Sequence, residues 1–136
     1  MRILIAEPVK EACSALRLFL GQQAGCDVIG EVCQSEQLLD RVVLEKPDVL
    51  LVDWGMLGRE PVALLREMKA VHDPLYVIVL STRPERRLQA LQAGANAFVS
   101  KGDWPERMLK ALSESKNLGV QMPEGWGGAK LAETRG

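Results

Sequence analysis

Five short apolar runs alternate along the chain with segments in which apolar residues recur every three or four positions. The runs lie near residues 3–6, 28–32, 49–52, 76–80 and 97–99. Runs of this length are typical of β-strands, and the spacing between them is typical of helices that bury one face. Strands that alternate with helices favour a parallel sheet covered on both sides. The sequence therefore predicts an α/β fold of five βα units.

The polarity of the strands predicts their order in the sheet. The runs that begin at Ile3, Val49 and Tyr76 are apolar on both faces, as expected of central strands. The runs around Ile29 and Phe98 are more polar and are expected at the edges. With right-handed crossovers, the order 2-1-3-4-5 satisfies both conditions. The predicted architecture is a three-layer (βα)5, flavodoxin-like, doubly wound sheet, with its fifth helix running from about Trp104 to about Leu112.

Length, composition and charge limit the kind of protein that the chain can form. Its 136 residues, 47% hydrophobic and 26% charged, suit one globular domain, which we expect at 1–116, followed by a flexible glycine-rich tail or linker at 117–136. A formal net charge of −1 gives no reason to expect nucleic-acid binding by this chain itself. No apolar run is long enough to cross a bilayer, and the expected location is cytoplasmic.

Polar side chains follow four of the predicted strands where they end: Glu7, Asp53, Ser81 and Lys101. The carboxyl ends of parallel strands lie together, and such sheets bind ligands there. A carboxylate such as Asp53 can attack phosphorus and form an acyl phosphate. Two acidic groups and a backbone carbonyl could hold Mg²⁺, while Ser81 and Lys101 could donate to phosphoryl oxygens. The pattern indicates phosphoryl-transfer chemistry, although Lys101 could equally pair with Asp53.

The segments that carry these residues resemble bacterial receiver domains of two-component response regulators. The segments are ILIAE at 3–7, VLLVDWGM at 49–56, VLST at 79–82 and GANAFVSK at 94–101, and the similarity covers about residues 2–115 in order. The resemblance implies that Asp53 accepts a phosphoryl group from a histidine kinase or phosphotransfer protein. It also implies that Ser81 and Lys101 contact the phosphate, and that Mg²⁺ is held by Glu7, Asp53 and the backbone carbonyl of Gly55.

The same resemblance implies how a signal leaves the domain. Ser81 and Phe98 take the positions of the family's switch residues. Phosphorylation is then expected to repack the face made by the fourth helix, fifth strand and fifth helix. We call this the partner face, and its charged residues are Arg83, Arg86, Arg87, Lys110 and Glu114. A mixed set of charges suits a protein partner or a homodimer.

The sequence departs from the family pattern at Pro8. Receivers usually carry two consecutive acidic residues after the first strand, whereas here they are Glu7 and Pro8. Proline offers no side-chain ligand, so Mg²⁺ binding is expected to be weak. Two hypotheses stay open: a phosphoacceptor with weak metal dependence, or a phosphorylation-independent pseudo-receiver that acts as an interaction or dimerisation module.

Two other classes of function are disfavoured by single residues. A mononucleotide-binding protein of this fold would cradle a phosphate in the loop after the first strand, where Glu7 instead brings negative charge. A phosphatase with an aspartyl nucleophile would want a second acid two residues after Asp53, where Gly55 stands. We therefore do not expect an enzyme, beyond slow loss of the domain's own phosphate.

Overall fold

The computed structural model of the chain describes residues 1–116. Its five strands are β1 (Arg2–Ala6), β2 (Asp27–Val32), β3 (Val49–Asp53), β4 (Tyr76–Ser81) and β5 (Ala97–Ser100). They form one parallel sheet in the order β2-β1-β3-β4-β5, with the two more polar strands at its edges. The predicted fold and strand order are confirmed. The tail expected at 117–136 lies outside the described residues.

The register of the sheet brings the ends of its central strands to one level. Ala6 at the end of β1 lies beside Val52, one residue before the end of β3. Ser81 at the end of β4 lies beside Ser100 at the end of β5. The residues that follow these ends therefore meet at one end of the sheet, as the sequence predicted.

Five helices cover the sheet: α1 (Lys10–Gly21), α2 (Leu38–Glu45), α3 (Pro61–Val71), α4 (Arg87–Ala93) and α5 (Glu106–Lys116). The last begins after Pro105 and extends beyond the predicted end near Leu112. Pro84 opens a short 3-10 helix before α4, and Gly94 ends α4 with φ of 117°. Only glycine adopts that angle without strain, so α4 stops there. Among the described residues, no helix is long and apolar enough to cross a membrane.

Two cores lie on opposite faces of the sheet because successive strand residues point to opposite sides. Leu4, Leu50 and Val77 belong to one core, and Ile3, Leu51 and Ile78 belong to the other. The central strands are therefore buried on both faces, which explains their continuous apolar sequences. On α1 the buried residues are Cys13, Leu16 and Leu20. Val9 directly precedes the helix and is 51% exposed.

Candidate functional site

Three of the predicted site residues contact one another at the carboxyl end of the sheet. The Lys101 Nζ lies 2.5 Å from Glu7 Oε1 and 2.9 Å from Asp53 Oδ1. Glu7 follows β1, Asp53 ends β3 and Lys101 follows β5, so the sheet brings together groups from three distant parts of the chain. We call these three side chains the ionic triad. Its two carboxylates and one ammonium leave one negative charge uncompensated.

Glu7 is the buried member of the triad, with none of its surface exposed. Its Oε1 accepts from Lys101, and its Oε2 accepts from the backbone N–H of Val9 at 3.1 Å. Its own N–H donates to the Val32 carbonyl at 3.0 Å, which fixes the backbone beside β2. A buried carboxylate is tolerated only when it is paired and hydrogen-bonded, and both conditions hold here.

Asp53 is the accessible carboxylate, with 19% of its side chain exposed. It caps a 3-10 helix at Trp54–Leu57, and its Oδ2 accepts from the Gly55 N–H at 2.9 Å. This local bond turns Oδ1 towards Lys101. The result is a fixed carboxylate that faces solvent and has a cation beside it.

Lys101 completes the triad as a partly buried ammonium whose side chain is 21% exposed. Burial by itself would lower the pKa of Lys101. The hydrogen bonds and charges of Glu7 and Asp53 outweigh burial, and the pKa is raised above its ordinary value. The group therefore stays protonated at neutral pH. Its backbone N–H also donates to the Ser81 carbonyl at 2.8 Å, which holds the loop after β5 against β4.

Ser81 stands at the same end of the sheet but outside the triad. It is buried, and its Oγ accepts from the Arg83 N–H at 3.0 Å. Within residues 1–116, the structure shows no hydrogen bond donated by the Ser81 hydroxyl. The hydroxyl is thus positioned by the loop before α4 and keeps its hydrogen available for a ligand.

Phe98 and the partner face lie beside this end of the sheet, between α4 and α5. Phe98 is 8% exposed and packs in the core on the α4 side. It also lines a cavity of about 260 Å³ together with Arg87 and Arg107. A neighbouring cavity of about 250 Å³ adds Lys110 and Glu114. Arg107 was not among the residues predicted for the partner face, although its place one turn before Lys110 on α5 indicates the same face.

The predicted metal ligands supply oxygen donors at this end of the sheet. The carboxylates of Glu7 and Asp53 and the Gly55 carbonyl are hard oxygen donors of the type that Mg²⁺ prefers. Among residues 1–116, no three His, Cys, Asp or Glu side chains are grouped to hold a metal ion. Both carboxylates already direct one oxygen to Lys101. The donors fit the chemistry of Mg²⁺, but they are few and are shared with an ammonium.

Comparison with known proteins connects this geometry to a family. The family model described as the response regulator receiver domain matches residues 3–113. The uncharacterized transcriptional regulatory protein YhcZ of Bacillus subtilis (strain 168) is 29% identical over 112 residues, covering 81% of this chain and 52% of that protein. The nitrate/nitrite response regulator protein NarL of Escherichia coli (strain K12) is 34% identical over 91 residues, covering 65% of this chain and 42% of that protein. This chain thus spans about half the length of these curated relatives.

A solved structure gives the same result across nearly the whole chain. The isolated REC domain of RcsB from Salmonella enterica serovar Typhimurium, determined in the presence of the phosphomimetic BeF3⁻, superposes with a TM-score of 0.73 at 26% identity. The match covers 96% of this chain and 97% of that one. Receiver domains generally bind Mg²⁺ at an acidic pocket and interact with histidine kinases or phosphotransfer proteins. They are generally not enzymes, although some relatives of this chain are protein-glutamate methylesterases. The family match, the strand order and the residues at the carboxyl end of the sheet agree, and the chain belongs to the response regulator receiver domain family of two-component systems.

Proposed function

We propose that this domain accepts a phosphoryl group on Asp53 from a histidine kinase or phosphotransfer protein of the cytoplasm. The observation that carries the proposal is the position of the Asp53 carboxylate, which is partly exposed, locally fixed and 2.9 Å from the Lys101 ammonium. In the transfer, an Asp53 oxygen forms a bond to phosphorus as the bond between phosphorus and the donor's imidazole breaks. The geometry supplies an accessible carboxylate at the position where the resemblance to receiver domains implies a phosphoacceptor.

Lys101 and Ser81 are proposed to hold the phosphoryl group once it is bound. The ammonium already lies against Asp53 and would pair with a phosphoryl oxygen. The Ser81 hydroxyl could donate its hydrogen to another phosphoryl oxygen. If the side chain turns to do so, it would lose the hydrogen bond that its Oγ accepts from the Arg83 N–H. Such a movement at the end of β4 would change the packing around Phe98 on the adjacent strand β5. We therefore propose Ser81 and Phe98 as the switch residues.

Mg²⁺ is proposed as a weakly held cofactor. Glu7, Asp53 and the Gly55 carbonyl are the residues that would hold it, and the bound ion would offset negative charge on the incoming phosphoryl group. Pro8 contributes no ligand where receivers usually have a second acid. The two available carboxylates are already paired with Lys101, which supports weak binding.

The output is proposed to be protein contact through the partner face. Arg83 and Arg87 are exposed on the loop before α4 and on α4, and Lys110 is exposed on α5. Arg86 is half-buried there and donates to Gln89 at 2.8 Å. Arg107 is a fifth cation on this face and lines a cavity together with Phe98. A change in the position of the Phe98 ring would therefore alter the shape of a charged groove. A protein partner or a second copy of this domain would recognise that change in shape.

The test uses acetyl phosphate as donor and intact-protein mass spectrometry as readout. Wild type should gain one phosphoryl group, whereas Asp53→Asn should gain none while keeping the same circular dichroism spectrum. Asp40→Asn, which removes an exposed acid on α2, is the matched control and should react like wild type. Phosphorylation that persists in Asp53→Asn would place the acceptor elsewhere. A folded wild type that takes no phosphoryl group would leave a phosphorylation-independent interaction module.

A further inference from the structure

Lys69 is a half-buried lysine on α3 whose side chain donates to two oxygens in the connection between α4 and β5. Its Nζ donates to the Gly94 carbonyl and to Asn96 Oδ1, both at 2.9 Å. Within residues 1–116 the structure shows no ion pair to this group. Lys101, by contrast, lies against two carboxylates. The two partly buried lysines therefore have opposite surroundings, one made of neutral acceptors and the other of charged ones.

Neutral acceptors suit an amine as well as an ammonium. A neutral amine carries two hydrogens, which satisfy both bonds of Lys69 and leave the lone pair of the nitrogen free. Burial lowers the pKa of Lys69, and among the described residues the charge that opposes this is that of Asp73, two residues after α3. The contact with the exposed Gly94 lies at the surface. Lys69 thus combines a nitrogen near solvent with a larger neutral fraction than a fully solvated lysine has.

We propose that the Lys69 amine is a site of N-acylation by acyl phosphates such as acetyl phosphate. The lone pair of the neutral Nζ attacks the carbonyl carbon of the donor, and the bond from that carbon to the bridging oxygen breaks. Inorganic phosphate leaves with the electron pair of that bond, and one amine proton passes to water. The product is an amide at Lys69, formed without any oxidant or further reactant.

Acylation of Lys69 would alter the contacts that join α3 to α4 and β5. The amide nitrogen keeps one hydrogen, so it no longer donates to both the Gly94 carbonyl and Asn96 Oδ1. Asn96 holds the start of β5 beside β4: its N–H donates to the Val77 carbonyl at 2.9 Å, and its Oδ1 accepts from the Val77 N–H at 2.8 Å. Asn96 also lines the cavity of about 250 Å³ on the partner face, together with Phe98. Acylation on α3 is therefore expected to change that face, and this last effect alone rests on the proposed output.

The test incubates wild type with acetyl phosphate at about pH 8 and follows acetylation of each lysine by mass spectrometry after digestion at glutamate. Lys69 should be acetylated at least about threefold faster than the exposed Lys46 and Lys110, because a lowered pKa raises the neutral fraction. Lys101 should react slowest, since its pKa is raised. If Lys69 is acetylated no faster than Lys110, the proposal is wrong.

Two controls test whether the fold causes this reactivity. In urea-unfolded protein Lys69 should react no faster than Lys110, and a persistent preference would trace to local sequence and contradict the proposal. Asp73→Asn removes the charge that opposes the lowered pKa and should speed acetylation of Lys69. Asp40→Asn, which removes an exposed acid on α2, is its matched control and should leave the rate unchanged. Equal rates in these two variants would also count against the proposal.

Asp53→Asn separates this inference from the phosphoacceptor function. The variant should take no phosphoryl group and yet acetylate Lys69 like wild type, and one spectrum reports both products because their masses differ. Phosphorylation of wild type without preferential acetylation of Lys69 would refute only the acylation site, and the reverse would refute only the phosphoacceptor. In the acetylated protein the backbone amide NMR signals of Asn96 and Phe98 should shift, and unchanged signals would refute the effect on the partner face.

Discussion

Replacing Lys101 by methionine should destabilise the domain more than its position near the surface suggests. Methionine keeps most of the aliphatic stem but removes the ammonium from both carboxylates. Glu7 would then be a fully buried carboxylate with only the Val9 N–H as partner. Removing one partner of a buried ion pair typically lowers the free energy of unfolding by about 3–5 kcal/mol, and we take this range as the upper limit for Lys101→Met. The Lys101 and Asp53 side chains are 21% and 19% exposed, so water would partly solvate the unpaired Asp53 carboxylate. We therefore expect a loss at the lower end of the range, about 3 kcal/mol.

The reasoning can be checked by a double-mutant cycle between the two ends of the ion pair. Glu7→Gln removes the buried charge and keeps the size of the side chain, so it should cost less than Lys101→Met, about 1–2 kcal/mol. In the double variant no charge is left buried, and the combined loss should be smaller than the sum of the single losses by about 1–3 kcal/mol.

Arg17→Met provides the reference for an exposed ion pair. Arg17 pairs with Glu31, and the two side chains are 49% and 33% exposed. Such pairs contribute about 0–1 kcal/mol, so this variant should unfold almost like wild type. Urea unfolding followed by circular dichroism, in metal-free buffer at pH 7, gives the free energies and shows from the slope whether unfolding stays two-state. If Lys101→Met costs no more than Arg17→Met, the triad is not a buried electrostatic unit and the reasoning is wrong.

Three further predictions use the same assays. Pro8→Asp restores a second acid and should tighten Mg²⁺ binding measured by NMR titration; an unchanged affinity would mean that residue 8 does not face the metal. Gly94→Ala places a Cβ at φ of 117° with only ordinary contact to Leu65, so backbone strain alone should cost about 1–3 kcal/mol in urea unfolding, whereas Gly102→Ala, with open space around it, should be nearly neutral. Finally, the pKa of Lys101 is raised on folding, so its contribution is full below the ordinary value of 10.5 and is lost as pH rises through the folded value. The free energy of unfolding should therefore fall less steeply with rising alkaline pH in Lys101→Met than in wild type. Equal slopes would contradict the raised pKa of Lys101.

The architecture could be predicted from the sequence because it depends on patterns that repeat. Strands buried on both faces, such as β3 and β4, are apolar up to the polar residue that ends each of them, and β1 shares that pattern after Arg2. Through their backbone preferences alone, Gly94 marks the end of α4 and Pro84 marks the start of the short 3-10 helix before it. Helix ends were less accurate: α5 includes Ser115, beyond the predicted end near Leu112, and this serine is buried with its hydroxyl beside the Met1 sulfur, a tertiary contact that periodicity does not show.

The site could be predicted as a set of residues but not as a set of contacts. Strand ends identify Glu7, Asp53 and Lys101 as neighbours, since a parallel sheet brings those ends together. Which carboxylate Lys101 contacts depends on side-chain length and on burial around β1. Pairing of Lys101 with Asp53 was one of the predicted alternatives, and the structure adds the closer contact with Glu7, at 2.5 Å. No spacing in the sequence distinguishes a glutamate that reaches towards a metal from one that reaches towards a lysine.

Pro8 connects the missing acid to the way in which Lys101 is held. Proline has no N–H, so the first backbone donor after Glu7 is that of Val9, and the Glu7 Oε2 accepts from it. This turn leaves Oε1 for Lys101, close to Asp53. With only two carboxylates present, one ammonium neutralises half of their charge, whereas a site with a further acid would keep a larger excess. An incoming phosphoryl group therefore meets less negative charge here before any metal binds. Under the proposed function, the proline that is expected to weaken the metal site would thus also reduce the repulsion that the metal would otherwise have to offset.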